Sequence, residues 1–597
     1  MTGPLVLGTA GHVDHGKTAL VLALTGRDTD RLPAEKSRGI SIELGFAPLE
    51  LASGRRLSLV DVPGHERFVR HMVAGASGVD GYLLCVAADD GAMPQTREHL
   101  AVLRLLGVED GVVAVTKADL YPPEAAAAQA RELVGDGPEI VAVSPVTGAG
   151  IARLRSALEA LAERLPRRTA AGRARLFVDR SFSLPGAGTI VTGTLWGEGV
   201  APGDLVVSLP GGAAGRVREV QANERTVARA AGGRTALNLA GVAPADVPRG
   251  ACIVRADDAW STSDLLDVAL QWLPDAGRDL RTRERLQAFL GTAEMSATCV
   301  LLEAEALAPG RRGYAQLRLA RPVPAAPGDR VVLRSPQRRT VGGAVVVDAS
   351  PARHGRGGRA ARRLAVLERG APAQVLAQRL RDAGGEGLVD GALVPAAVAT
   401  AGGVALPGGI ALDAGVAARA RGALLAALEP RLSLAAARAA TGLAQAAADG
   451  LIADLVASGE IAREGPSVRR AGARRAAPDG VEAVAGALAA GGLRPPSTSD
   501  LAELADLSAA QVDDALRHLR ECGRAVRAGD LWFDAEAAAG AREHARRALA
   551  SGPMTIGALR DLWGVGRRHA IALAAHLDAS GLTRRQGAAR ALRRGAV

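Results

Sequence analysis

The sequence predicts three kinds of fold in series: an α/β domain, two β-barrels, and a tail of tandem, mainly α modules. Three observations carry this expectation. Near-continuous apolar runs alternate with helical segments over residues 1–168, the pattern of strands covered by helices on both faces. Short β-branched runs broken by Gly and Pro then follow one another closely as far as Ser350, as barrel strands do. The last third of the chain repeats one layout. A length of 597 residues also exceeds what a single hydrophobic core organises.

In the first domain, assigned to residues 1–168, "PLVLGTA", "LSLVDV", "GYLLCVAA", "GVVAVTKA" and "EIVAVS" read as buried strands, and "QTREHLAVLRLLG" has helical spacing. A parallel sheet with helices on both faces is expected. "LPRRTAAGRAR" reads as a linker. "GTIVTGTL", "GDLVVSL" and "GRVREVQA" place a first barrel at residues 172–260, and "GDRVVLRS" and "GGAVVVD" a second at 261–355. "SPARHGRGGRAARR" is a basic, Gly-rich joint. Beyond it, Leu443 to Gly459, Leu507 to Gly523 and Val565 to Gly581 recur at identical offsets, with a period of roughly 60 residues. In each copy an amphipathic helix runs to a Gly and a hairpin follows, with Gly529 and Asp530 forming the turn of the middle one. Helix, turn, helix, hairpin is the order of a winged helix. Modules are therefore expected at 426–475, 476–540 and 541–597, with a weaker copy at 365–425 that includes "PAQVLAQRLRDAGGEGL".

Composition narrows the function. The net charge of +10 suits a polyanionic partner such as nucleic acid. Cys85, Cys252, Cys299 and Cys522 are scattered with no C-x-x-C pair, which argues for a reducing compartment and against a zinc or disulfide framework. "MTGPLVLGTAGHVDHGKT" enters a motif at once, leaving no signal peptide, and no apolar run is long enough for a membrane span. A cytoplasmic, monomeric protein without a membrane partner is expected. Lysine occurs only as Lys17, Lys36 and Lys117, in a chain that otherwise uses arginine.

Those lysines lead to the chemistry. Gly11-His12-Val13-Asp14-His15-Gly16-Lys17-Thr18 follows a predicted strand and opens a predicted helix, the context a phosphate-binding loop requires. Glycines let backbone N–H groups close around phosphates, and the helix N-terminus adds its dipole. Lys17 supplies a compact point charge to the β- and γ-phosphates, which a planar guanidinium does not. Thr18 offers a hydroxyl to Mg²⁺. "DVPGH", Asp61 to His65, ends a strand, so that Asp61 can hold Mg²⁺ through water and the Gly64 N–H can sense a γ-phosphate. In "TKAD", the Asp119 carboxylate can accept from guanine N1 and N2, and the stem of Lys117 can lie along the base. In "SPVTG", Ser144 sits where a backbone N–H would meet guanine O6. Their order and placement at strand ends point to an α/β P-loop GTPase domain that binds GTP and GDP.

"GHVDHGKT", "EKSRGISIELGF", "DVPGHERF" and "TKAD" resemble the translational GTPases of the elongation factor Tu superfamily. "DRLPAEKSRGISIELGFA", "DDGAMPQTREHL" and "DRSFSLPGAGTIVTGT" resemble its SelB branch, the selenocysteine-specific elongation factors. The resemblance is close over residues 1 to 260, looser over the second barrel, and architectural in the tail. It implies that Ser41, where the family more often has Thr, is the switch hydroxyl on Mg²⁺, and that His65 orients the attacking water. Thr116 stands for the commoner Asn, which is expected to weaken a loop-bracing hydrogen bond. Asp14 becomes a candidate ligand of a monovalent cation.

The resemblance also implies an aminoacyl pocket in the first barrel, formed by Asp179, Arg180 and a later arginine assigned as Arg234, and a tRNA contact in the second barrel. The final module, the most basic, would grip an mRNA hairpin with Arg567, Arg568, Arg584, Arg585 and Arg590. The implied function is GTP-dependent delivery of selenocysteyl-tRNA to ribosomes at UGA codons marked by that hairpin. Its rivals are another GTPase of the superfamily, in general aminoacyl-tRNA delivery or sulfate activation, and an RNA-binding regulator that uses GTP only as a switch.

Overall fold

The run Leu5–Ala10 is apolar at every position but Gly8 and Thr9, and all six residues are buried as strand β1. In the computed structural model it lies inside a six-stranded sheet, and the model describes the whole chain except residues 1–4, 31–34, 36–40, 42, 65–71, 74–77, 166–171, 185–187, 198, 223, 391–392, 429–430, 472–477 and 594–597. The elements of the first domain are β1, α1 (Lys17–Thr25), β2 (Gly45–Glu50), β3 (Arg56–Asp61), β4 (Gly81–Ala87), α2 (Pro94–Leu105), β5 (Gly111–Thr116), α3 (Glu124–Val134), β6 (Glu139–Ala142) and α4 (Ile151–Arg164). Sheet order is β2-β3-β1-β4-β5-β6. Leu5 and Leu7 pack with Leu20, Leu24, Leu154 and Leu158 on one face. Val6 packs with Val60, Tyr82, Leu100 and Leu103 on the other. The expected parallel sheet needs one correction: β2 pairs antiparallel with β3, Gly45 opposite Asp61.

The first barrel comprises β7 (Arg175–Leu184), β8 (Gly188–Trp196), β9 (Leu205–Leu209), β10 (Ala213–Ala222), the short β11 (Arg225–Thr226), β12 (Gly233–Ala240) and β13 (Cys252–Arg255). Pairing of β10 with β9 closes the ring, and β11 hangs on β10. The second barrel is closed by β14 (Thr262–Trp272), β16 (Glu284–Leu290), β17 (Ala293–Leu301), β19 (Arg312–Pro324), β20 (Arg330–Arg334) and β21 (Thr340–Asp348). A ribbon of β15 (Leu280–Arg281) and β18 (Ala306–Leu307) lies beside it. Alternate residues fill each interior, as in β8, whose burial alternates along its whole length. Phe289 and Val332 of the second barrel join the core on the α2 side of the first domain.

Two segments read as connectors are tied down. The linker's last arginine, Arg175, opens β7 and lies buried against Asp329 of the second barrel, with Nη1 2.6 Å from Oδ2 and Nη2 on Oδ1. The joint after residue 350 is fastened by His354, whose Nε2 lies 2.8 Å from the fully buried Asp267. Arg318 donates to the His354 carbonyl at 2.9 Å. The joint ends in the helix Gly358–Arg369, where Arg363 pairs with Asp348 and Asp382. Buried Asp267 attracts His354 and Arg363, so a basic composition here serves anchoring.

The chain divides into two compact units, Met1–Asp382 with Ala396–Gly402, and Ala383–Pro395 with Gly403–Val597. In the second unit, Gln445–Ala457, Ala509–Glu521 and Arg567–Ala579 are helices of 13 residues each. Their hairpins, Ile461–Glu464 with Ser467–Arg470, Ala525–Ala528 with Leu531–Asp534, and Thr583–Gln586 with Ala589–Leu592, begin at matching offsets. Gly529 turns the middle hairpin at φ 64°. Helices Ala414–Ala427 and Ala535–Leu549 run through the positions where successive modules were expected to meet. Among the described residues no helix is long and apolar enough to cross a membrane.

Candidate nucleotide site and the pocket beside it

The loop between β1 and α1 is shaped by what cannot fit there. Gly11 has φ 131°, and a Cβ on it would stand 2.2 Å from the Cys85 carbonyl oxygen. Gly16, at φ 72°, precedes α1, whose first N–H groups receive no side-chain cap. Uncapped donors beside a positive dipole end suit an anion. Lys17 is folded over the loop, donating to the carbonyls of Gly11 at 3.1 Å and His12 at 2.5 Å. Burial holds its pKa below the ordinary lysine value, with Asp61 and Asp14 pulling the other way. Gly64 closes on the same place: a Cβ there would fall 2.4 Å from Lys17 Nζ and 2.8 Å from the Val13 nitrogen. Asp14 is exposed, at φ 60°.

Next to the lysine lies a cluster of oxygens. Thr18 Oγ1 donates to Asp61 Oδ2 at 2.8 Å and lies 2.9 Å from Ser41 Oγ. Thr9 and Thr29 also donate to Asp61, at 2.9 and 2.8 Å. Ser41 in turn donates to Asp30 Oδ1 at 2.8 Å. Burial raises the Asp30 pKa, opposed by the Ser41 hydrogen bond and reinforced by the charges of Asp61, Glu35 and Asp28. Hard oxygen donors around mutually repelling carboxylates fit Mg²⁺. Thr18, Ser41 and Asp61 were expected here; Asp30 was missed, because no motif spacing marks it.

The loops expected to meet the base stand at the ends of β5 and β6. Thr116 Oγ1 donates to the His15 carbonyl at 3.0 Å, so Thr116 itself ties its loop to the phosphate loop. Lys117, at φ 57°, pairs with Asp89 at 2.7 Å, and Asp119 is exposed beside it. Ser144 departs from expectation. Its N–H is donated to the Ala149 carbonyl at 2.9 Å and its hydroxyl accepts from Thr147, so both groups close their own loop instead of facing a ligand. Pro145 has no N–H, which leaves the exposed Val146 as the next backbone donor. His65 lies outside the described residues.

A pocket opens where β2 meets the first barrel, lined by Phe46, Ala47, Arg180, Phe182, Thr192 and Arg234. Asp179 grips Arg234 through both oxygens, with Nη2 2.9 Å from Oδ1 and Nη1 on Oδ2, and accepts from Thr192 at 2.7 Å. The Arg234 guanidinium stacks over Phe46, 3.7 Å from the ring centre, and that of Arg180 lies 5.4 Å from it. Arg180 also donates to the Leu44 carbonyl and lies 3.3 Å from Glu43. The structure thus brings Asp179, Arg180 and Arg234 together, and adds Phe46 from the first domain. Phe46 lies on β2, along which burial alternates, and no motif or apolar alternation in "GFAPLE" marks it in the sequence.

In the final module Arg567 and Arg568 open the helix and are exposed, with Arg568 paired to Asp530 of the preceding hairpin. Arg584 and Arg585 are exposed on the hairpin. Arg590 must be removed from this set. It is 8% exposed and donates to Asp578 at 2.9 Å, while Thr583 donates to the other oxygen of Asp578 at 2.6 Å. Strand alternation turns it inward as a structural pair.

Fold and loops together define the class, a P-loop nucleotide-binding protein followed by two barrels. Family models match three parts of the chain: the elongation factor Tu GTP binding domain at residues 4–167, the selenocysteine-specific elongation factor beta-barrel domain at 267–353, and the elongation factor SelB winged helix at 547–592. The selenocysteine-specific elongation factor of Desulfomicrobium baculatum is 41% identical over 354 residues, 58% of this chain and 56% of that protein. The match therefore spans little more than half the length of this curated relative. Elongation factor Tu 2 of Streptomyces avermitilis is 34% identical over 57% of this chain and 96% of its own length. A crystal structure of the bacterial selenocysteine-specific elongation factor EF-Sec superposes with a TM-score of 0.74 at 27% identity, covering 99% of this chain and all of that one. The chain belongs to the SelB family of elongation factor Tu-like translational GTPases.

Proposed function

We propose that this protein is a selenocysteine-specific elongation factor, which uses GTP to deliver selenocysteyl-tRNA to the ribosome at a UGA codon marked by an mRNA hairpin. The observation that carries this reading is the pocket at β2, where the guanidiniums of Arg180 and Arg234 converge on Phe46 beside Asp179. A selenol is more acidic than a thiol, so the cargo side chain is an anion at neutral pH and is drawn to guanidiniums. A seryl group offers no charge, and leaves the arginines less well satisfied.

The nucleotide loops supply the switch. Lys17 and the α1 N-terminus would hold the phosphates, Thr18 and Asp61 with Ser41 would hold Mg²⁺, and Asp119 would select guanine. Mg²⁺, when bound, supplies charge stabilisation at the phosphates. His65 positions the attacking water, since phosphoryl transfer depends on placement and electrostatics. Asp14 takes a monovalent cation. The second barrel contacts tRNA, and the final module grips the hairpin through Arg567, Arg584 and Arg585, working as a cytoplasmic monomer.

The test is GTP-dependent protection of selenocysteyl-tRNA and seryl-tRNA from ester hydrolysis, with the wild-type chain and with Arg180→Ala plus Arg234→Ala. Strong protection of selenocysteyl-tRNA alone, lost in the double variant, is expected. Equal protection of both tRNAs by the wild type would reject the reading.

A further inference from the structure

The first glycine of the phosphate loop is gripped from behind. Its N–H is donated to Nδ1 of His99, 3.1 Å away on α2. His99 is 0% exposed, and burial depresses its pKa to about 3, with the positive charges of Lys17 and His12 acting in the same sense. The ring is therefore neutral, and because Nδ1 accepts, its proton resides on Nε2. An imidazolium would set one N–H against another.

Gly11 has little latitude of its own. The Cys85 carbonyl excludes any side chain there, and the Gly11 carbonyl accepts from Lys17 Nζ. One residue thus joins the His99 acceptor to the ammonium that would meet the phosphates. The helix carrying His99 is also fixed in place. Glu98 accepts from the Thr340 N–H at 3.3 Å, from Thr340 Oγ1 at 2.8 Å and from Arg334 at 3.4 Å. At its C-terminal end the Leu105 carbonyl accepts from Arg330 at 3.4 Å.

We propose that His99 is a positioning residue for the phosphate loop, a neutral imidazole acceptor on an anchored helix that fixes Gly11 and, through it, the Lys17 ammonium. His99 meets the loop at the Gly11 N–H and acts only through it. The inference rests on the reading of that loop as a guanine-nucleotide site.

Three substitutions in the full-length chain separate acceptor placement from packing. In His99→Asn the side-chain oxygen falls where Nδ1 stood. In His99→Gln the oxygen falls nearer the place of Nε2, and His99→Leu has no acceptor. Affinity and release rate are read with a fluorescent GDP analogue, alongside the thermal melting temperature. His99→Leu and His99→Gln are expected to lose about tenfold in affinity through faster release, the cost of leaving the Gly11 N–H unpaired. His99→Asn is expected to stay within about twofold of wild type. If Asn binds as weakly as Gln, or Gln binds like wild type, acceptor position is irrelevant and the proposal fails, even should the Leu variant not fold. A wild-type chain that binds no GDP would instead sink the nucleotide reading.

Discussion

Replacing Arg175 by Met tests whether the two barrels are held together by one buried ion pair. Both side chains of the Arg175–Asp329 pair are 8% exposed, and the guanidinium lies 5.1 to 5.3 Å from the ring centres of Trp260, Phe177 and Trp196. Methionine keeps most of the contact with those rings and removes the charge. Asp329 is then left as a buried carboxylate whose remaining partner among the described residues is the Ala326 N–H, at 2.8 Å. Loss of one partner of such a pair costs about 3–5 kcal/mol. Protonation sets a ceiling: taking an ordinary carboxylate from its pKa near 3.9 to the neutral form at pH 7 costs ~4 kcal/mol. The two figures agree at pH 7, and the ceiling falls to ~1.5 kcal/mol at pH 5. Urea unfolding followed by tryptophan emission should therefore show Arg175→Met losing ~4 kcal/mol at pH 7 and much less at pH 5. Adding Asp329→Asn, which removes the stranded charge, should restore most of the loss. A penalty below ~1 kcal/mol at pH 7, or no recovery in the double variant, would refute the reasoning.

Three further outcomes are expected. Thr116→Val strands the buried carbonyl of His15 and should weaken GDP binding by ~1–3 kcal/mol, measured by calorimetry, whereas Thr116→Asn should restore it. His15 and His99 are both buried, with pKa values lowered to about 4 and about 3, first of all by burial. The folded chain resists protons that the unfolded chain takes up below pH 6.5, so their stabilisation is full above that pH and drains as pH falls toward 4 and 3. Each costs ~1.4 kcal/mol per pH unit in that window, a slope that pH-dependent urea midpoints should show and His99→Asn should reduce. In the last module, Arg584→Ala with Arg585→Ala should lower hairpin affinity and flatten its salt dependence by about two counterions. Arg590→Ala should lower the melting temperature by freeing Asp578, while the salt slope stays as it was.

The legible parts of the molecule were those in which a short-range pattern has one physical cause. Runs such as "GYLLCVAA" are apolar because both faces of the sheet are covered, and the repeated offsets of the tail reappear as helices of equal length. The phosphate loop could be read because glycines at fixed spacing answer to backbone sterics. Features that depend on distant contacts were hidden. β2 carries Pro48 and alternates in burial as an antiparallel edge, so it does not resemble its parallel neighbours. Asp30 joins the oxygen cluster, and Phe46 the arginines, only across the folded chain. Arg175 and Arg590 are indistinguishable in composition from solvated arginines, and become structural only through Asp329 and Asp578.

The stretch from Ser41 to Phe46 has a consequence of its own. At one end Ser41 belongs to the oxygen cluster beside the phosphate loop. A few residues on, Glu43 and the Leu44 carbonyl receive Arg180, and Phe46 underlies Arg234. So short a length of backbone has little slack, and a pull at the cluster is felt at the pocket wall. On the proposed function, the two sites would then operate as a logical conjunction. Loss of the oxygen cluster would loosen Leu44 and Phe46 as well, and with them the wall on which the cargo's side chain would rest.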